Sequence, residues 1–167
     1  SGFDHTLFSK SELAYIRSEF KSKKRSVLVN QYHRYIILQW VDSKGGEEYQ
    51  QLEKIRKAGD LLTATLNKLK IESITLISDE DASHTLALVE GMTLSNYQFL
   101  KYKSEPEKNS LRDIQLFSKK TNEKQLQELV HVCESVCMAR DLVNEPVMSL
   151  NATGLSKAFQ AMGKKSG

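Results

Sequence analysis

The chain has 167 residues, 40% of them hydrophobic and 27% charged, with a formal net charge of +3. This is a one-domain length, enough to bury roughly 70% of the unfolded chain's surface, and the composition excludes a disordered tail. No apolar run approaches the ~18 residues of a membrane span, so no membrane partner is expected. The positive charge is mild and dispersed, a poor footing for nucleic acid.

The N-terminal "SGFDHTLFSK" has neither a basic n-region nor an apolar h-region and does not read as a signal peptide. In "FSKSELAYIRSEF", Ser9 and Glu12 fit a capping box, and Phe8 and Leu13 sit where a hydrophobic staple would close over it. Leu13, Ile16 and Phe20 make a one-sided stripe. "KSKKR" reads as a solvated link. "SVLVN" and "YIILQWV" predict an antiparallel strand pair, and "DSKGG" breaks the second strand. Residues 47 to 69 predict a helix with Leu52, Ile55, Gly59, Leu62, Leu66 and Leu69 on one face, Gly59 allowing close approach from below. "ESITLIS" reads as a strand covered on both faces, which with the preceding helix and strand makes a βαβ unit.

A third helix is expected from Ser83 to Tyr102, apolar nearly all round and therefore buried on more than one side. "KSEPEKNS" is a loop, and "LRDIQLFS" a strand with Ile114 and Leu116 on one face. The last long helix should run from Asn122 to Val143, with Thr121 as N-cap and a stripe of Leu126, Leu129, Val130, Cys133, Val136, Cys137 and Arg140. Pro146 disfavours helical geometry in the residue before it and stops that helix. Asn151 or Thr153 then caps a new one carrying Leu155, Phe159 and Met162. Alternating strands and helices predict an α/β fold, helices on both sides of a sheet.

Chemistry is sparse along this chain. Cys133 and Cys137 share a helix face, but His131 points away and two thiolates fall short of a four-ligand zinc shell; two small core residues is the better reading. The only two cysteines give no disulfide framework and suggest a reducing compartment, the cytoplasm. No H-E-x-x-H, G-x-S-x-G or P-loop pattern occurs. "DEDAS" at 79 to 83 is explained by the dipole of the helix that follows it. Arg140 is the exception: an Arg on an apolar stripe is either snorkelling at a rim or held in a buried pair.

Two stretches carry a resemblance. "ARDLVNEP" looks like the segment joining the two domains of leucyl aminopeptidases, in which an Arg (or Lys)-Asp-Leu-x-Asn-x-Pro run closes a long helix; here the positions are Arg140, Asp141, Leu142, Asn144 and Pro146. "LALVEGMTLSNYQFLKYKS" is similar to the same family's Glu-Gly … Tyr-x-Phe … Tyr-Lys helix at Glu90, Gly91, Tyr97, Phe99, Tyr102 and Lys103. The chain departs from the family at Met148, where an Asn is usual, and at Ala152-Thr153, where Thr-Pro is common.

The resemblance implies a three-layer α/β/α sandwich with a mixed central sheet, related to macro domains. It implies a non-catalytic N-terminal domain over residues 1–144 and a linker helix over 145–167, cut before the catalytic domain. Arg140, Leu142, Val143, Asn144, Pro146, Leu155 and Phe159 are then the interdomain contact candidates. The family's two divalent metal ions (zinc or manganese), its catalytic Lys and its catalytic Arg belong to a C-terminal domain whose Lys-Gly-x-x-x-Asp and Asn-Thr-Asp-Ala-Glu-Gly-Arg segments do not occur here. That domain and a hexamer of full-length chains are the implied partners. A macro-like ligand-binding module or a nucleic-acid-binding module is the alternative.

Overall fold

The computed structural model describes residues 4–42 and 45–166. Its first helix starts where the capping box predicts. Ser9 Oγ accepts the Glu12 N–H at 3.3 Å, and the Glu12 carboxylate accepts the Ser9 N–H at 2.7 Å, opening α1 (Lys10–Lys21). The buried pair Phe8 and Ile16, with Leu13 and Phe20, packs onto a hairpin of β1 (Ser26–Asn30) and β2 (Tyr35–Gln39). The antiparallel register puts Val27 opposite Leu38, Leu28 opposite Ile37 and Val29 opposite Ile36. Side chains alternate across a strand, so Val27, Val29, Ile36 and Leu38 face α1 while Ile37 turns to a second cluster. Of the "DSKGG" break, Ser43 and Lys44 lie outside the described residues; Gly45 and Gly46 have φ of +79° and +84°.

That second cluster holds Leu62 and Leu66 of α2 (Glu48–Lys68), Met92 of α3 (Ala82–Ser95) and Leu111. Ile74 of β3 (Ser73–Ser78) and Ile114 of β4 (Asp113–Ser118) pack beneath it. Helices α2 and α3 meet backbone to backbone. A Cβ on Gly59 would lie 2.5 Å from the Leu88 carbonyl oxygen, and one on Gly91 would lie 2.7 Å from Arg56 Cα. The seam is pinned by Arg56 Nε on the Glu90 carboxylate at 2.7 Å and by the buried Thr63 hydroxyl on the Met92 carbonyl at 3.3 Å.

The structure corrects the sequence reading in five places. The parallel βαβ unit is β3–α3–β4, with Ile74 level with Ile114 and Ile77 with Phe117, and β2 reaches its cluster through the Ile37 side chain. The crossover from 79 to 112 contains a 14-residue helix, long enough to return the chain parallel to itself. The α/β class is what forms, but the four strands hydrogen-bond as two pairs instead of one mixed sheet. Strand β3 is covered on one face only, because α2 and α3 share that side; on the other, Ile77 is 66% and Phe117 63% exposed.

Helix α3 ends at Ser95, seven residues before the predicted Tyr102. Asn96 stops it: its Nδ2 donates to the Leu111 carbonyl at 2.8 Å, and Asn67 and Asn109 both donate to its Oδ1 at 3.0 Å. The N-cap of α4 (Glu123–Asn144) is Asn122, one residue past the predicted Thr121, since Asn122 and Gln125 complete a reciprocal capping box.

Candidate interdomain joint

Helix α4 lies against α3 with Cys133 at the contact, flanked by the half-buried Leu126, Leu129, Val136 and Cys137. Val130, expected on that stripe, is 46% exposed. Burial first, then the charge of Glu90 and the Cys137 thiol, push the Cys133 thiol up to about 11, so it stays protonated and inert. Among the described residues no group of three or more His, Cys, Asp or Glu could hold a metal ion.

What the end of α4 does build is a polar joint. Arg140 Nη1 donates to the Leu94 carbonyl at 2.6 Å, and its guanidinium carbon sits 5.5 Å from the centre of the Tyr97 ring. Leu94 offers one of the last carbonyls of α3, which lack partners inside the helix and attract a cation. Among the described residues Arg140 has no ion-pair partner; it caps α3 and stacks on Tyr97. The Tyr97 hydroxyl donates to Asp141 Oδ1 at 2.7 Å and accepts from Asn144 Nδ2 at 3.3 Å. Burial, then the bond to Asp141, raises the Tyr97 pKa, so the phenol stays a neutral donor.

One residue on, Pro146 holds Glu145 in extended geometry (φ −67°, ψ 133°), which ends the helix. There Lys101 Nζ and the Tyr102 hydroxyl both donate to the Glu145 carboxylate at 2.5 Å, and Tyr102 also reaches the Ser149 hydroxyl at 3.2 Å. The hydrogen bond from Lys101, then that from Tyr102, holds the Glu145 carboxyl below the usual range, and Glu145 in turn raises Lys101.

Beyond the joint the chain makes a closed turn, with the Ser149 and Leu150 N–H groups on the Pro146 carbonyl at 2.8 and 2.9 Å. Asn151 then caps α5 (Ala152–Ser166), its Oδ1 accepting the Gly154 N–H at 2.9 Å. Of the contact candidates, Arg140 and Asn144 fall inside the joint. Leu142 and Leu155 are half-buried, Pro146 is exposed, Val143 is 84% and Phe159 56% exposed. Val147 and Met148 are also exposed. Two carboxylates tie the joint: Asp141, which sequence reasoning named only as a family position, and Glu145, which it gave no role although it lies inside the same stretch.

Residues 45–106 match the Cytosol aminopeptidase family, N-terminal domain. A "Probable cytosol aminopeptidase" of Persephonella marina is 29% identical over 144 residues, 80% of this chain and 28% of that protein. Its namesake in Clostridium perfringens is 32% identical over 127 residues, 69% of this chain and 26% of that protein. The chain therefore spans little more than a quarter of these relatives' length. Among solved structures, a tomato leucine aminopeptidase mutant superposes with a TM-score of 0.70 at 20% identity, covering 88% of this chain and 32% of that one. The bottromycin maturation enzyme BotP does so with a TM-score of 0.70 at 17% identity, covering 92% and 34%. These two share the fold. The family match over residues 45–106 and the curated relatives place this chain as the N-terminal domain of the cytosol aminopeptidase family.

Proposed function

We propose that residues 1–144 are the non-catalytic N-terminal domain, and 145–167 the linker helix, of a cytoplasmic two-metal leucyl aminopeptidase. The parent removes N-terminal residues from peptides. Its two divalent metal ions, zinc or manganese, would be held by a C-terminal catalytic domain and would supply an activated water and a polarised scissile carbonyl. This domain serves assembly into a hexamer and shapes access to the active site.

The observation that carries the reading is the joint. The two family-like stretches, more than 40 residues apart in sequence, meet there through Tyr97, Asp141 and Asn144. They hand the chain to α5, whose open side is lined by Ala152, Leu155 and Phe159. A large apolar side chain left in water forgoes roughly 1.5–3 kcal/mol relative to burial, which supports a domain seated on that side. The test is hydrolysis of leucyl-anilide by the parent protein and by residues 1–167 alone. The parent should be active and chelator-sensitive and the domain inactive; chelator-sensitive hydrolysis by the purified domain would overturn the reading.

A ligand-binding role has one feature in its favour, a polar cleft of about 390 Å³ lined by Asn67, Gln98 and Asn109 with Lys68, Lys103 and Lys108. Its amides, however, are spent on the Asn96 side chain and on the loop backbone. The nucleic-acid reading has only the exposed "KSKKR", where Lys24 is paired with Glu19 at 2.6 Å.

A further inference from the structure

We propose that residues 145–166 form a rigid lever whose angle to the body is set by Lys101 and Tyr102 closing on Glu145 and Ser149. This rests on reading that segment as the interdomain linker. Two groups of contacts carry it, one at the base of the lever and one along it.

At the base, the Glu145 side chain is only 13% exposed although it ends a surface helix. Lys101 and Tyr102 approach it from the loop after α3, not from its own helix, so they fix its position relative to the α2–α3 body. Tyr102 grips a second point four residues along, at Ser149. Two points of attachment on a closed turn fix a direction, whereas one would leave a swivel.

Along the lever, no joint is left loose. The turn from Pro146 to Leu150 is closed by its own two backbone hydrogen bonds, and the next hydrogen bonds, from Gly154 and Leu155 to Asn151, begin α5. The turn and the helix are also in contact across Gly154, where a Cβ would lie 2.6 Å from the Ser149 carbonyl oxygen. Any other side chain at that position would push α5 off the turn. The 15 residues of α5, at 1.5 Å each, make an arm of about 22 Å. A small rotation at Glu145 is thereby amplified at the far end, where the next domain would be placed. Lys101, Tyr102, Ser149 and Gly154 are positioning residues in this sense.

The experiment measures the lever in this chain itself, by the electron–electron distance between spin labels on Asp60→Cys of α2 and Lys157→Cys of α5, in a background with Cys133→Ala and Cys137→Ala. A single narrow distance is expected, lost to a broad distribution in Tyr102→Phe and in Glu145→Ala. Gly154→Ala should shift the distance with Lys101 and Tyr102 still in place. A second label pair within the body, Asp60→Cys and Ser83→Cys, should not change in any variant, which separates a turned lever from a disturbed fold. A distribution as narrow in both Tyr102→Phe and Glu145→Ala as in the unmodified chain would overturn the proposal, as would a broad one in the unmodified chain. Either result leaves the parent's peptidase assay untouched, so the lever and the aminopeptidase reading fail separately.

Discussion

The α2–α3 seam and the α4–α5 arm solve the same problem, joining two helices, by opposite means. At the seam Gly59 and Gly91 let two backbones touch, and Met92, Leu66 and Thr63 fill the space around them. Nothing there has a second arrangement open to it, since close-packed interiors have no slack. Along the arm the fixed points are polar and lie near the surface: a carboxylate between a lysine and a tyrosine, and an arginine on a carbonyl. Such contacts specify direction through hydrogen-bond geometry but add little to stability where water competes. A domain that must stay folded while carrying a neighbour needs both, and here they are separated in space.

The sharpest way to test that division is to cut volume from the seam. Met92 is fully buried, so Met92→Ala should destabilise the chain by about 2–5 kcal/mol, the range for large-to-small core changes. Denaturant melts of the purified domain measure it. Adding volume should come next. Gly91→Ala places a methyl group against the Arg56 backbone, which cannot yield as a side-chain tip can, and overpacking of this kind costs about 1–3 kcal/mol. Gly59→Ala should cost a similar amount, and the double variant less than the sum, because the two open one gap. Fully additive losses would mean that the two glycines do not share a contact.

The arm should respond in the reverse sense. Val143→Ser and Met148→Ser replace apolar groups that already face water, so in this chain each should move stability by less than about 0.5 kcal/mol. In the longer parent protein the same changes should weaken domain docking, seen as easier proteolysis near Pro146. Equal effects in the two settings would remove these residues from the interface.

Much of the seam was legible beforehand, and much of the joint was not. Leu62, Leu66 and Gly59 could be placed on one face of α2 because a helix repeats its contacts every three or four residues. The helix boundaries were legible too: Ser9 with Glu12 opens one helix and Pro146 closes another, each acting on its immediate neighbours. What failed was chiefly what is decided at a distance. The period of α3 runs on through Tyr97 and Phe99, and only Asn67, Asn109 and Leu111, reaching Asn96 from other parts of the chain, end it. "ITLI" is equally compatible with one covered face or two, and the choice was made by where α2 and α3 lie. Lys101 offered no pattern at all; its partner is 44 residues away.

The smallest expected effect is the most diagnostic, because it titrates the joint without touching the seam. The groups facing Glu145 are Lys101, Tyr102 and Ser149, with Asp141 and Tyr97 one step away. In the folded chain the Glu145 carboxyl is held below its ordinary 4.5, so the clasp is fully formed above that value and is lost as pH falls through the lowered one. Lys101 is raised above its ordinary 10.5, so its ion pair with Glu145 persists to that pH on the alkaline side and is lost as pH rises beyond it. Through neutrality the joint should be indifferent to pH. Amide chemical shifts of Ser149 and Leu150, in the turn that the clasp anchors, report its state. They should be flat through neutrality and titrate with a midpoint below 4.5, and Glu145→Gln should abolish that titration while Asp141→Asn leaves it. A midpoint at or above 4.5 would mean that the Glu145 carboxylate gains nothing from Lys101 and Tyr102. The arm would then have to be held by Arg140 and Tyr97 alone.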